Sequence, residues 1–337
     1  MKKSKKIILI IISSILALVL LLVSAFFILS YIGKNQFHKE DTNISNDDVI
    51  IEDEETITYN GKKYALNENV ISILVLGIDR DNINQNLGSG NNGQADVIFL
   101  TTIDTKTKKA CIVPISRETM IDVNLYTADG KFAGIQKEQL CLAYSYGNTP
   151  EDCSKNIMTS VKRLLYGVNI SSYVTIEMEG VSKLTDMVGG VEVNCLEEMT
   201  INQKNVSIGE KLTLNGDNAL RYVQYRGDDL EANYRRMQRQ KQFLSALISK
   251  AGNAVISDFT NLTNYYNNLS PYFSTNVSFA QITYLAQNFL TLNFGDTIDY
   301  KTIDGSLTQG EKWVEFTANE ESVLQTVIEI FYISKEQ

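Results

Sequence analysis

The sequence predicts an α/β fold: a mixed central β-sheet covered by helices, preceded by one N-terminal transmembrane helix. Three observations predict it. The stretch from Ile7 to Ile32 carries no charge. Three β-branched apolar runs lie at residues 70–78, 96–103 and 110–115. Beyond them, amphipathic helical patterns alternate with short strand patterns, which is how a sheet covered by helices reads in sequence.

Lys2, Lys3, Lys5 and Lys6 precede the uncharged run, whose 26 residues exceed the ~30 Å hydrocarbon core at ~1.5 Å per residue. The positive-inside rule places these lysines in the cytoplasm and the rest of the chain outside. A cleaved signal peptide is the rival reading. It wants a shorter apolar region and a small-residue cleavage site, and Tyr31-Ile32-Gly33-Lys34 is a poor one. Residues 1–6 are thus read as a cytoplasmic tail and 7–32 as a single-pass anchor. Residues 33–68 are an extracellular stalk, because Lys34 to Asn60 holds eight acidic residues against two lysines, including Glu52-Asp53-Glu54-Glu55. The folded domain covers 69–251, and 252–337 is an extension packed on it.

Val70 to Ile78 reads as a buried strand, with Asp79 at its end. A polar loop over 82–94 leads to strand 96–103. Residues 104–109 turn the chain into strand 110–115. Glu138 to Tyr146 is read as a helix. Glu151 to Tyr166 is a second helix, with Ile157, Val161, Leu164 and Leu165 on one stripe and Gly167 to end it. Strand 173–178, helix 181–188 and strand 191–195 follow, with a Gly189-Gly190 turn. Ala219 to Tyr225 is a short strand or helix end. Asn233 to Lys250 is a strong helix expected to bury Met237, Leu244, Leu247 and Ile248. The tail carries helices near 279–290 and 319–331.

Composition narrows the chemistry. The chain of 337 residues has 31 Lys/Arg, 40 Asp/Glu and a single histidine, His38, which falls in the stalk. This argues against Ser-His-Asp triads, Cys-His pairs and histidine zinc sites. The net charge of −9 argues against nucleic acid as a partner. Four cysteines would face an oxidising exterior, and none forms a CxxC. Cys141 and Cys153 flank a Gly-Asn-Thr-Pro turn, where a disulfide is an open reading. Cys111 and Cys195 read as core residues.

Two groups of side chains point to phosphate chemistry. Arg221, Arg226, Arg235, Arg236 and Arg239 crowd into nineteen residues of an acidic chain. Arg236, Arg239 and Gln240 share a helix face in the first turns, where free N–H groups and the helix dipole favour an anion. Guanidinium forks suit a phosphate or pyrophosphate; a salt-bridged helix face is the alternative. Asp79 and Asp96, at strand ends, could hold a divalent cation through oxygen, with Arg117 reaching the same edge. No GxxxxGK[ST] loop is present, so this is not a P-loop site.

In order along the chain stand ILVLGIDR (73–80), ADVIFL (95–100), VPISRET (113–119), LAYSYG (142–147), VGGV (188–191) and RMQRQ (236–240). This set resembles the LytR–CpsA–Psr family over about residues 70–250. The resemblance implies a membrane-anchored extracellular transferase of a Gram-positive-type envelope. Such a phosphotransferase moves a glycopolymer, wall teichoic acid or capsule-like polysaccharide, from a polyprenyl pyrophosphate carrier to peptidoglycan as a phosphodiester. It further implies that Asp79 and Asp96 hold Mg2+ (or Mn2+), that Asp96 and Arg117 are catalytic, and that Arg117, Arg226, Arg236, Arg239 and Gln240 bind the pyrophosphate. Asp96 or Glu118 would accept the hydroxyl proton. Four positions depart from the family pattern: Gln94 and Gln224 stand for arginines, and Glu118 and Asn233 for aspartates. They motivate a second reading, a catalytically reduced polyprenyl-phosphate-binding protein of envelope assembly or regulation. A third is a wall-binding structural protein.

Overall fold

The computed structural model describes residues 24–37, 50–51, 56–80, 83, 85, 87–227, 231–257, 262–289 and 298–335. The N-terminal part of the expected anchor, residues 7–23, lies outside them. Among the described residues no helix is long and apolar enough to cross a membrane. The first described element is a helix over residues 24–37 (α1).

The expected stalk is not solvated throughout. β1 (Ile50–Ile51), β2 (Thr56–Tyr59) and β3 (Lys62–Leu66) pair in order. The last strand, Tyr332–Ser334, adds antiparallel to β3. Ile57 alternates inward and is 3% exposed, an apolar residue the acidic run obscured.

The three apolar runs form β4 (Val70–Ile78), β5 (Ala95–Asp104) and β6 (Lys109–Pro114), an antiparallel meander. Asp104 makes the β5–β6 turn: Oδ1 accepts from the Lys106 and Thr107 amides, at 2.8 and 2.9 Å. Residues 120–139 form a hairpin of β7 (Met120–Tyr126) and β8 (Phe132–Gln139), and the helix read over Glu138 to Tyr146 is a 3-10 turn over Leu140–Ser145. β8 is mostly exposed, so it carries no apolar alternation that would mark it as a strand.

α2 (Pro150–Leu164) starts at Thr149, whose hydroxyl accepts from the Asp152 amide. Beyond it the Gly167 amide bonds the Lys162 carbonyl. β9 (Ser172–Glu177) lies parallel to β4, then α3 (Met178–Met187) packs beside it. β10 (Val191–Asn194), β11 (Met199–Ile201), β12 (Lys204–Val206) and β13 (Lys211–Leu214) make two small antiparallel pairs. Val191–Asn194 is therefore outside the central sheet. α4 (Gly216–Gln224) and α5 (Ala232–Ser257) follow, then α6 (Leu262–Leu269), β14 (Phe273–Thr275), α7 (Phe279–Phe289), β15 (Ile298–Tyr300), the hairpin β16 (Gly305–Gln309) with β17 (Val314–Ala318), α8 (Glu320–Phe331) and β18 (Tyr332–Ser334).

The central sheet is mixed, with order β14-β9-β4-β5-β6-β15. Both edge strands come from the tail, so 252–337 completes the sheet as well as packing on it. Leu74, Leu76, Leu100 and Val113 share one buried cluster with Ile157 and Val161 of α2 and with Val323 and Val327 of α8. Ile71 and Ile73 alternate to the other face and pack with Tyr284 of α7. A separate cluster joins β10–β13 to α4 and α5 through Val191, Leu214, Tyr222, Phe243 and Leu247.

Candidate pyrophosphate site

Asp96 owes its position to a β-bulge. Gly77 pairs with Val97 and Ile78 with Ala95, so Asp96 is the extra residue. A bulge re-aims a side chain and twists the strand end. Gly77 is required here, because a Cβ would come within 2.9 Å of Val97 Cβ. Next along β4, the Asp79 amide reaches the Gln94 carbonyl. Asp79 and Asp96 therefore stand at adjacent ends of two paired strands, Asp79 exposed and Asp96 half-buried.

Arg117 and Glu118 follow β6 in a turn fixed by its backbone. The Thr119 amide bonds the Ser116 carbonyl, the Cys141 amide the Arg117 carbonyl, and the Phe316 amide the Glu118 carbonyl. Arg117 Nη1 lies 2.7 Å from Asp96 Oδ1. Its Nη2 donates to Gln94 Oε1 and to Cys141 Sγ, the latter at 3.3 Å. Burial opposes the charge on Arg117, but Cys141 and Asp96 outweigh it and raise its pKa above the ordinary value. Burial pushes the Cys141 thiol up, against the pull of Arg117. All four cysteines are free, which corrects the Cys141–Cys153 pairing: Cys141 faces Arg117 instead.

α5 presents an unexpected face. Its inward stripe is Asn233, Arg236, Gln240, Phe243 and Leu247, whereas Met237, Leu244 and Ile248 are only half-buried. Asn233 Nδ2 donates to Glu118 Oε2 at 2.9 Å. Arg236 Nη2 donates to Asn233 Oδ1 at 2.6 Å. Glu118 is 6% exposed, and its other oxygen lies 3.9 Å from Arg226 Nη2. Burial lowers the pKa of Arg236, opposed by the nearby Asp96. The Nε atoms of Arg117 and Arg236 are buried without a hydrogen-bond partner among the described residues. Buried, unsatisfied guanidinium donors beside a carboxylate fit an oxyanion.

The arginine cluster splits. Arg117, Arg226 and Arg236 converge through Asp96, Glu118 and Asn233. Arg239 does not join them: it is 1% exposed, donates to the Tyr222 and Tyr225 carbonyls, pairs with Glu197 and sits 5.3 Å from the Tyr225 ring. With its donors taken, it braces α4 against α5 and sets the backbone before Arg226. Arg235 also pairs with Glu197, at 3.2 Å. Arg221 and Gln224 are exposed on α4. Gln240 donates to the Val223 carbonyl at 3.2 Å and lines the small cavity of the site. Sequence reasoning missed Glu197, which carries no local pattern. It found Gln94 and Asn233 only as departures, and Glu118 both as a departure and as a candidate proton acceptor; in the fold each makes a hydrogen bond within the site.

Two cavities meet here. The small one is lined by Asp96, Arg117, Asn233, Met237 and Gln240. A cleft of about 380 Å³ adjoins it, lined by Glu118, Glu231, Asn233, Tyr234, Asp304 and Phe316 among others. They share Ile115, Asn233 and Met237. The first presents the paired Arg117 guanidinium and Asp96 carboxylate, the second three carboxylates and two aromatic rings. Among the described residues no group of three metal-binding side chains occurs. Mg2+ is commonly held by one or two carboxylates and completed by phosphate oxygens and water, and Asp79 and Asp96 are the two carboxylates at this strand edge.

Comparison with known proteins agrees with this architecture. The polyisoprenyl-teichoic acid–peptidoglycan teichoic acid transferase TagU of Enterococcus faecalis is 26% identical over 247 residues, 73% of this chain and 70% of that protein. The TagU of Bacillus cereus is 30% identical over 196 residues, 58% of this chain and 55% of that protein. The match spans 62% and 55% of two further TagU relatives. The crystal structure of B. subtilis TagV superposes with a TM-score of 0.61 at 24% identity, covering 77% of this chain and 96% of that one. That likeness shows the fold. Residues 31–329 match the LytR_cpsA_psr family model, and the chain belongs to the LytR_cpsA_psr family.

Proposed function

We propose that this chain is a membrane-anchored, extracellular phosphotransferase that moves a glycopolymer from a polyprenyl pyrophosphate carrier to peptidoglycan. The single observation that carries the reading is the pair of buried guanidinium groups, Arg117 and Arg236, whose Nε donors lack partners among the described residues, set beside Asp96 and next to a carboxylate-lined cleft suited to a neutral hydroxyl acceptor. The names of the TagU relatives supply the reaction class and support teichoic acid as the glycopolymer. The uncharged run 7–32 supports the anchor.

In this reading Arg117 and Arg236 grip the pyrophosphate oxygens, and Arg226 closes on them from its exposed position. Asp79 and Asp96 would hold Mg2+, which when bound would supply charge neutralisation at the phosphate oxygens. The acceptor hydroxyl enters along the cleft and attacks the glycan-proximal phosphorus. The new P–O bond forms as the bond to the bridging oxygen breaks, and polyprenyl phosphate leaves with that electron pair. Glu118 takes the hydroxyl proton: it lines the cleft by which the acceptor enters, and Asp96 does not. Asn233 fixes the positions of Glu118 and Arg236 relative to each other. Preorganised donors of this kind give most of the rate in phosphoryl transfer.

The test incubates the full chain in vesicles with a short-chain polyprenyl pyrophosphate disaccharide and a peptidoglycan fragment. Mass spectrometry follows polyprenyl phosphate and the phosphodiester product. Wild type should form both with Mg2+, and Arg236→Ala and Asp96→Ala should form neither. Co-purified carrier lipid without turnover would establish the binding-only reading instead.

A further inference from the structure

Helix α1 has two unlike faces. Ser30, Gly33 and Phe37 are buried, at i, i+3 and i+7. Phe27, Ile28, Tyr31 and Ile32 are exposed on the other side, Tyr31 at 67%. The buried face is docked against α7 and the sheet. Phe37 is 2% exposed in a socket of Ile71, Ile73 and Tyr284. Its ring lies 6.3 Å from that of Tyr284. Ser30 Oγ donates to Gln287 Oε1, and Ser278 Oγ to Gln36 Oε1. Gly33 lets the backbones touch: a Cβ there would lie 2.1 Å from the Ala280 carbonyl oxygen.

The exposed face has a sharp limit along the helix. Four large apolar side chains stop at Ile32, and Lys34, Asn35 and Gln36 follow. The sequence before the helix, Ile7 to Val23, is free of charge. An apolar face that continues a hydrophobic run and ends in polar residues fits a lipid interface, with the acyl boundary near residue 32.

We infer that α1 is a two-sided clamp, one face docked on α7 and the sheet and the other set against the outer leaflet of the bilayer. The inference rests on the anchored, extracellular reading above. The anchor then holds the domain in one orientation and is not a loose tether. The Phe37 socket includes Ile71 at the start of β4, and Asp79 ends that strand about 26 Å away at ~3.3 Å per residue. The candidate site therefore sits at a fixed reach from the membrane that delivers its lipid-linked donor.

The test uses the full chain in vesicles, in a Trp313→Phe background, because Trp313 is the one tryptophan of the sequence. Ile28→Trp should lose its emission when the lipid carries bromine on its acyl chains, and Asn35→Trp should keep it. A Ser30→Cys/Gln287→Cys pair should cross-link within one chain. Adding Gly33→Leu should lower that yield severalfold, and Phe37→Ala should do so without a steric clash. Thermal melts check that each variant is folded. The same undocked variants should slow turnover of a membrane-embedded donor while sparing a water-soluble short-chain donor. Unquenched Ile28→Trp, cross-links between two chains, or cross-linking indifferent to both variants would overturn the clamp. Failure to turn over either donor in wild type would instead overturn the proposed reaction, leaving the quenching and cross-linking results to decide the clamp.

Discussion

Asn233 offers the sharpest test of the site. Among the described residues its amide links Glu118 and Arg236, with bonds of 2.9 and 2.6 Å. Both partners are buried, at 6% and 7% exposure. Asn233→Ala removes both bonds and leaves a carboxylate and a guanidinium without that partner. A hydrogen bond to a charged group contributes about 1.5–3 kcal/mol. Two such bonds give about 3–6 kcal/mol, and the better helix propensity of alanine returns about 0.5 kcal/mol. Urea unfolding at neutral pH should therefore show a loss near the lower end of that range. A cycle with Glu118→Ala isolates the link: the coupling should be about 1–3 kcal/mol. Turnover should fall further than stability explains, because Arg236 loses its orientation. Additivity of the two variants to within about 0.5 kcal/mol would refute the network.

Four further outcomes follow from the same geometry. Arg239→Lys should destabilise the fold by about 3–5 kcal/mol by breaking a buried ion pair and its hydrogen bonds, whereas Arg236→Lys should cost less in stability and more in turnover; melts and mass spectrometry together distinguish them. Chain cut to begin at residue 61 loses β2 and the buried Ile57, so it should unfold at lower urea, by about 2–5 kcal/mol, than one cut to begin at residue 50. Burial pushes the Cys153 thiol from 9.0 to about 12 and Cys111 to about 11. These raised values leave stability intact below pH 9 and erode it as pH climbs from 9 toward 12, and Cys153→Ala should flatten that slope in urea titrations. Chelation by EDTA should abolish polyprenyl phosphate release and added Mg2+ should restore it, with Asp79→Asn raising the Mg2+ needed.

Strands β4, β5 and β6 were legible in the sequence, because each is a continuous β-branched apolar run, whereas the mostly exposed β8 was not. The sequence by itself determined α2 from its stripe and α5 from its length. It named Asp79, Asp96, Arg117 and Arg236, because charged residues at strand ends and helix starts stand out against apolar surroundings. The tertiary structure decided what depends on contacts between distant segments. Arg236 and Arg239 are three residues apart and look equivalent. One donates to Asn233 beside Glu118 and the other is consumed by Glu197 and two carbonyls, a difference set by how α4 and the 195–198 loop pack on α5. Gln94, Glu118 and Asn233 stand as departures one at a time, and only the fold shows Gln94 bonded to Arg117, Asn233 to Arg236 and Glu118 to Asn233. The tail's place at both edges of the sheet, and the docking of residues 30–37 on α7, were equally hidden. Local pattern records which face of an element is apolar; it does not record which other segment comes to cover that face.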